Sequence, residues 1–326
     1  MRRFSALLIA SYTMAMLAAA AFLLLKGDRS AVGMLLIFGP RWVLLVPWAL
    51  LLPMALATSR RMVLLAGAGI AVTAFGVVLV EIPALPPRGA ARLLRVVTYN
   101  TDLSRSLATS LESELATWDA DIVLLQDCRG VTAEALMAIA KRDARSRADV
   151  HDRFCMITRL PLEAVEPFPD RPGRGQVPAV RYRLRVNGQP LAVISVHLSS
   201  PRQELSAARH GDPSRLENSI RLRATQSALL SRWARGSGED YIVAGDFNIP
   251  EGSGILRDDW SGLRNAFGER GWGIGNTMFA GFYGVRIDHV FTTPSLTPLA
   301  VRILKGYPTE HQPVVVDIGK WPLPNH

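Results

Sequence analysis

The hydrophobic pattern divides the chain into two unlike parts. From Phe4 to Ile82 it carries three long apolar stretches and only two acids, Asp28 and Glu81. Phe4 to Leu25 and Met62 to Val80 are each long enough to cross a bilayer, for which about 20 apolar residues suffice. Ala31 to Ala57 is apolar but broken by Gly39-Pro40-Arg41, which predicts a span over Trp42 to Ala57, with Ala31 to Phe38 lying shallow or re-entrant. Residues 1–82 therefore read as an integral membrane anchor of three transmembrane helices. A cleaved signal peptide is disfavoured, because the first apolar run exceeds a signal core and two more follow. Arg2-Arg3 and Arg60-Arg61 precede the first and third spans and predict a cytoplasmic N-terminus. Three spans then put the rest of the chain outside the cytoplasm, and two would put it inside.

Beyond the anchor the apolar runs shorten and alternate with amphipathic stretches. Residues 83–91 form a linker, with the prolines of IPALPPR holding it extended, and residues 320–326 a tail. Within 92–319, strands are predicted over Leu93–Tyr99, Asp121–Gln126, Arg153–Thr158 and Tyr241–Ala244, and helices over Ser104–Trp118, Val131–Lys141 and Leu216–Trp233. Asn187-Gly188 predicts a hairpin joining Val180–Val186 to Pro190–His197. Arg181, Arg183 and Arg185 alternate along its first strand and share one face, read as solvated rather than phosphate-binding. Gln203 to Pro213 is polar and reads as a mobile connection. Thr277, Phe279, Phe282 and Tyr283 fall in a Gly-rich loop and either pack locally or line a cleft. Strands alternating with helices, with several hairpins, predict an α/β fold of two mixed sheets packed face to face with helices outside.

Charge narrows the choice of partners. The chain has net charge +9, but residues 1–89 hold 8 Lys+Arg and 2 acids while residues 90–326 hold 29 and 26. Most of the basic excess thus belongs to membrane topology, and a domain at +3 lacks the strong basic footprint of a nucleic-acid binder. Two cysteines, Cys128 and Cys155, are too few for a disulfide framework and read as unpaired buried thiols, although an outside location permits one bond.

The chemistry lies where the apolar runs end. YIVAGDFNIP ends in Asp246 and Asn248, VVTYN in Asn100, DIVLLQD in Asp127 and LAVISVHLSS in His197. The closing strands add Asp288 in GVRIDHVFTT, with Glu310 and His311 in TEHQPVVVDI. Carboxylates, amides and imidazoles at strand ends suit a hard cation and a phosphate.

In this order the motifs resemble the endonuclease/exonuclease/phosphatase superfamily, with its DNase I-like fold, from about Arg92 to Ile318. The resemblance implies a four-layered α/β sandwich with these residues at one edge. It also implies a Mg²⁺ (or Mn²⁺) site in which Asp127 stands for the family's metal-binding Glu, with Asn100 and Glu310 in the metal shell. Asp246 would orient or deprotonate the attacking water, while Asn248 and His197 hydrogen-bond the phosphate. His311, oriented by Asp288, would donate to the phosphate or shuttle a proton. The stretch Arg153–Thr158, with Arg159-Leu160-Pro161 after it, resembles the family's strand and SR-x-P turn, with Thr158 where Ser is usual. Two departures matter: LQD replaces LQE and TEH replaces SDH, each moving a carboxylate by about 1.5 Å, one C–C bond. The implied activity is hydrolysis of a phosphoester, either nucleic acid, phospholipid or a small phosphodiester. The competing expectation is a catalytically silent module that binds a phosphorylated ligand.

Overall fold

The computed structural model describes residues 2–87, 89–170, 177–210, 212, 214–281 and 283–320. Arg88, Phe282 and 321–326 lie outside them.

Two six-stranded mixed sheets form the centre. The first runs Leu296–Ile303, Val314–Lys320, Arg92–Asn100, Ile122–Gln126, Phe154–Thr158, Arg147–His151, and the second Leu162–Pro167, Ala179–Val186, Gln189–His197, Tyr241–Asp246, Asp288–Thr292, Arg264–Asn265. Each sheet has one parallel pairing, Arg92–Asn100 with Ile122–Gln126 and Gln189–His197 with Tyr241–Asp246. Parallel neighbours require a crossover, and helices Arg105–Trp118 and Ser214–Arg235 supply it.

The period-two alternation of the strands decides what each face meets. Leu94, Val96, Leu124 and Met156 point between the sheets, where they join Tyr182, Leu184 and Ile194 in the main core. Val97, Tyr99, Val123 and Leu125 point outward and bury Leu107, Leu111, Trp118 and Leu136 of the covering helices. On the far side Leu230 and Ala234 pack onto the second sheet. The result is the expected four-layered sandwich.

Several expectations change. Cys128 and Cys155 are not free thiols; they form a disulfide. Burial alone could not distinguish two thiols from one bond, and their pairing follows from adjacent placement: Cys128 N–H donates to the carbonyl of Arg153, two residues before Cys155. Gln203 to Pro213, read as a mobile connection, overlaps helix Arg202–Arg209, which buries Leu205 against Leu216 and Ile220. The three hairpin arginines form ion pairs: Arg181 and Arg183 with Glu166, Arg183 with Glu239, and Arg185 with Glu163. Arg181 is itself buried, its guanidinium 3.9 Å from the Trp233 ring centroid.

In the N-terminal part, Arg2–Leu25 and Arg60–Val78 are each long and apolar enough to cross a membrane, and Ala31–Ile37 with Arg41–Leu56 makes a third span if that pair, bent by 80°, counts as one. The two long helices run parallel, since Ile9 lies with Ala66 and Leu23 with Val77. The chain between them must therefore travel back, and Leu51 and Ala55 pack with Ile9 and Ala66 as it does so. Trp48 Nε1 donates to Thr73 Oγ1 at 2.9 Å, satisfying two polar groups buried among these helices.

The disulfide closes a loop of 27 residues. Its reduction is expected to lower unfolding free energy by about 2–4 kcal/mol, read as a drop in denaturation midpoint with dithiothreitol that a Cys128→Ala/Cys155→Ala variant does not show.

Candidate active site

Strand register assembles the first row of the site. His197 pairs with Asp246 in the parallel ladder, and Asp288 pairs with Asp246 in the antiparallel one. Three residues 42 to 91 positions apart in sequence thus stand side by side at one edge of the second sheet. The approach is close at Gly245, where φ is +146° and a Cβ would meet the carbonyl oxygen of Val196 at 2.1 Å. Only glycine satisfies both conditions.

The first sheet contributes from the facing side. Asn100 ends its central strand, and its Nδ2 donates to Asp246 Oδ2 at 2.9 Å. Asp246 also accepts from the Asn248 backbone N–H at 2.8 Å and from Asn248 Nδ2 at 3.1 Å. Asn248 sits at φ +52°, a conformation asparagine tolerates, and Arg223 fixes its carbonyl with a 3.0 Å hydrogen bond from Nη1. Thr277 holds the neighbouring strand, its Oγ1 accepting the backbone N–H groups of Ile287 and Asp288.

His311 arrives from the loop before Val314–Lys320. Its Nδ1 lies 3.0 Å from Asp288 Oδ2, and its Nε2 lies 3.7 Å from Asp246 Oδ2. His197 approaches the same carboxylate, Nε2 to Oδ2, at 3.6 Å, and its Nδ1 lies 3.5 Å from Asp127 Oδ1. All of these except Asp127 are nearly fully buried.

Burial and neighbours set the charges. Burial pushes the Asp246 carboxyl up to about 7, against the opposing pull of His311. Burial would lower His311, but Asp288 and Asp246 more than offset it and raise the imidazole to about 9. His197 is driven well below 6.5 by burial and by Arg153 and His311. At neutral pH the site therefore holds one protonated and one neutral imidazole.

Asp127, Asn100 and Glu310 line the same cavity as Asp246 and His311, with a volume of about 530 Å³. Asp127 and Glu310 are each paired with a cation: Arg153 Nη1 is 3.5 Å from Asp127 Oδ1, and Arg202 forms an ion pair with Glu310. Among the described residues, the group of acidic and histidine side chains whose ligand atoms come within 4.8 Å of one another is Asp246, Asp288 and His311. The donor chemistry along the cavity, carboxylate and amide oxygens with the buried His197 Nδ1, which makes no hydrogen bond, beside them, fits a hard divalent cation and an oxyanion.

Two residues with no assigned role in the sequence reading belong here. Asp102 lines the cavity, and its charge acts on both Asp127 and His311. Arg153 is buried with its Nη2 donating to the carbonyl of His197 at 2.7 Å. The spacing N-x-D after the first strand could have flagged Asp102; nothing distinguishes Arg153 from the many other arginines. Of the Gly-rich loop, Tyr283 lines the cavity, Thr277 braces Asp288, and Phe282 falls outside the described residues.

The family model described as Endonuclease/Exonuclease/phosphatase family matches residues 97–311. The chain belongs to that family. Solved structures carry the same fold. A humanized TDP2 of D. rerio is 16% identical, with TM-score 0.54 and coverage of 70% of this chain and 99% of that one. A mannosyl-6-phosphatase of Bacteroides thetaiotaomicron is 17% identical, with TM-score 0.51 and coverage of 69% and 99%. A 3'-5' exonuclease of Neisseria meningitidis is 17% identical, with TM-score 0.50 and coverage of 70% and 100%. No curated protein matches in sequence. Family membership supports a hydrolase of phosphoesters, and the neighbours share its fold.

His311 owes its raised pKa to carboxylates, so Asp288→Asn is expected to lower it from about 9 by at least about one unit. Histidine-labelled, metal-free protein followed by NMR against pH reads this directly. The sign for stability follows: the interaction is fully present below about 6.5 and is lost as pH rises through about 9.

Proposed function

We propose that the protein is a membrane-anchored, divalent-metal-dependent phosphoesterase whose catalytic domain, residues 92–319, faces the extracytoplasmic side. The observation that carries the chemistry is the Asp288–His311 pair aimed at a buried Asp246 that three amide N–H donors hold in place. Asp246 orients the attacking water and takes its proton, a role suited to a carboxyl raised toward neutrality. His311, protonated and fixed by Asp288, donates to the phosphoryl group or the leaving oxygen. His197 and Asn248 hydrogen-bond the phosphate. Asp127, Asn100 and Glu310 are the residues that would hold Mg²⁺ or Mn²⁺, which supplies positive charge for the phosphoryl oxygens when bound.

The location rests on three supports. Basic residues begin both parallel helices, the domain touches their far ends, and a disulfide forms where the surroundings are oxidising. A second reading has its own support, because Asp127 and Glu310 are each already neutralised by an arginine. A silent module that binds a phosphorylated ligand would need no metal.

Full-length protein in nanodiscs, assayed on a chromogenic phosphodiester with Mg²⁺ or Mn²⁺, is expected to turn over, and Asp246→Ala to lower kcat by about 10²–10⁴-fold. Mg²⁺ at about 100 times its Kd should add about 2.7 kcal/mol of stability. Absence of both turnover and any metal-induced rise in Tm favours the silent module.

A further inference from the structure

The anchor does not hang from a free tether. Asp28, in the turn after the first long helix, is fully buried in the catalytic domain: its Oδ1 accepts the Gly254 N–H at 3.1 Å and its Oδ2 accepts from Ser253 Oγ. Arg29 pairs with Asp258, and Arg257 Nη2 donates to the carbonyl of Leu24 at 2.8 Å. At the end of the last helix, Glu81 bridges to Gly273, and Ala84 N–H donates to the carbonyl of Glu269. Both helix ends are thus clamped to the domain.

Between the clamps lies Ala31–Ile37. Its Met34 and Ile37, with Phe38, are buried against Leu205, Leu216, Ile220, Val285 and Ile287. Its opposite side leaves Val32 68% and Leu35 37% exposed, an apolar surface beside two helices long enough to span a membrane. Phe38 continues into the catalytic cavity and lines it. Beside Asp246 and His311 the cavity has an apolar lining, one packed cluster of Phe38, Leu205, Met278, Val285 and Ile287, with Arg202, Gln203 and Ser206 next to it.

Resting on the phosphoesterase reading, we propose that Phe38 and the helix Ala31–Ile37 form a bilayer-facing entrance and that the substrate is a membrane-resident amphiphile, a phosphoester whose apolar chain follows this wall while its phosphate reaches Asp246 and His311. A charged polynucleotide gains nothing from an apolar wall at the membrane surface, whereas a lipid chain gains with every methylene it keeps out of water. Arg223 couples the helix Ala31–Ile37 to the site, since one Nη lies 3.4 Å from the Met34 sulfur and the other holds the carbonyl of Asn248.

The test uses full-length protein in nanodiscs and two chromogenic phosphodiesters, methyl and hexadecyl p-nitrophenyl phosphate, with a single-stranded oligonucleotide as a third arm. The hexadecyl ester is expected to exceed the methyl ester in kcat/KM by about tenfold or more, as burial of a few methylenes requires. Phe38→Ala is expected to shrink that ratio, and Val32→Asp, at an exposed position where packing is not at stake, to shrink it as well. A ratio near one, a ratio that neither substitution lowers, or faster turnover of the oligonucleotide overturns the proposal while leaving a phosphoesterase. No turnover on any arm overturns the phosphoesterase reading and this proposal with it.

Discussion

The hydrogen bond from Asn100 to Asp246 is the contact on which the site depends, because it joins the two sheets at the edge where the chemistry lies. Two sheets packed through apolar side chains are free to slide by small amounts, since dispersion and burial are non-directional. A buried carboxylate removes that freedom. Left without donors it would carry a desolvation penalty of several kcal/mol, so the sheets must keep the register in which Asn100 and Asn248 reach it. Deeper in the interface, Gln126 Nε2 donates to Ser195 Oγ at 3.0 Å, a second polar tie in the same direction. The sandwich is therefore aligned by polar contacts and stabilised by apolar ones.

Alignment also explains the electrostatics. Asp246 and Asp288 are adjacent across an antiparallel pair, and burial, then the charge of Asp288, raises the Asp246 carboxyl, so the site favours a cation beside it. Protonated His311 is that cation within the protein. A divalent ion would take over part of the same task, so the strongly shifted groups describe a site built around positive charge. Arg153 and Arg202 extend this outward, each facing one of the two carboxylates that differ from the family pattern.

Much of this was legible in the sequence because strands end abruptly. Asn100, Asp127, His197 and Asp246 each end or follow an apolar run and Asp288 begins one, and the pattern of runs predicts that such ends converge at a sheet edge. What could not be read is whatever depends on the path between elements. Cys128 and Cys155 are 27 residues apart, and only the neighbouring placement of the Asp127 loop and the Phe154–Thr158 strand makes them partners. Asp28 is one of only two acids in the apolar N-terminal part, and nothing in the sequence says that it caps an element more than 220 residues away. Phe38 looked like the edge of a shallow membrane segment, and hydropathy cannot say that one side of that segment meets protein.

The exchange of carboxylates has a local physical reason at one of its two positions. Asp127 sits at φ +48°, the left-handed region that aspartate and asparagine occupy several-fold more readily than longer side chains. The disulfide begins at the next residue, and Arg153, whose carbonyl accepts from the Cys128 N–H, stands beside the Asp127 carboxylate. A tight turn stapled to the neighbouring strand thus favours the shorter acid. At position 310 the longer acid also lines the catalytic cavity, its carboxylate reaching Arg202 at the start of Arg202–Arg209. That helix also contributes Leu205 to the apolar wall with Phe38. The Glu310–Arg202 pair therefore ties this carboxylate to the helix that contributes Leu205 to that wall, and a shorter aspartate at 310 would have one methylene less with which to make that connection.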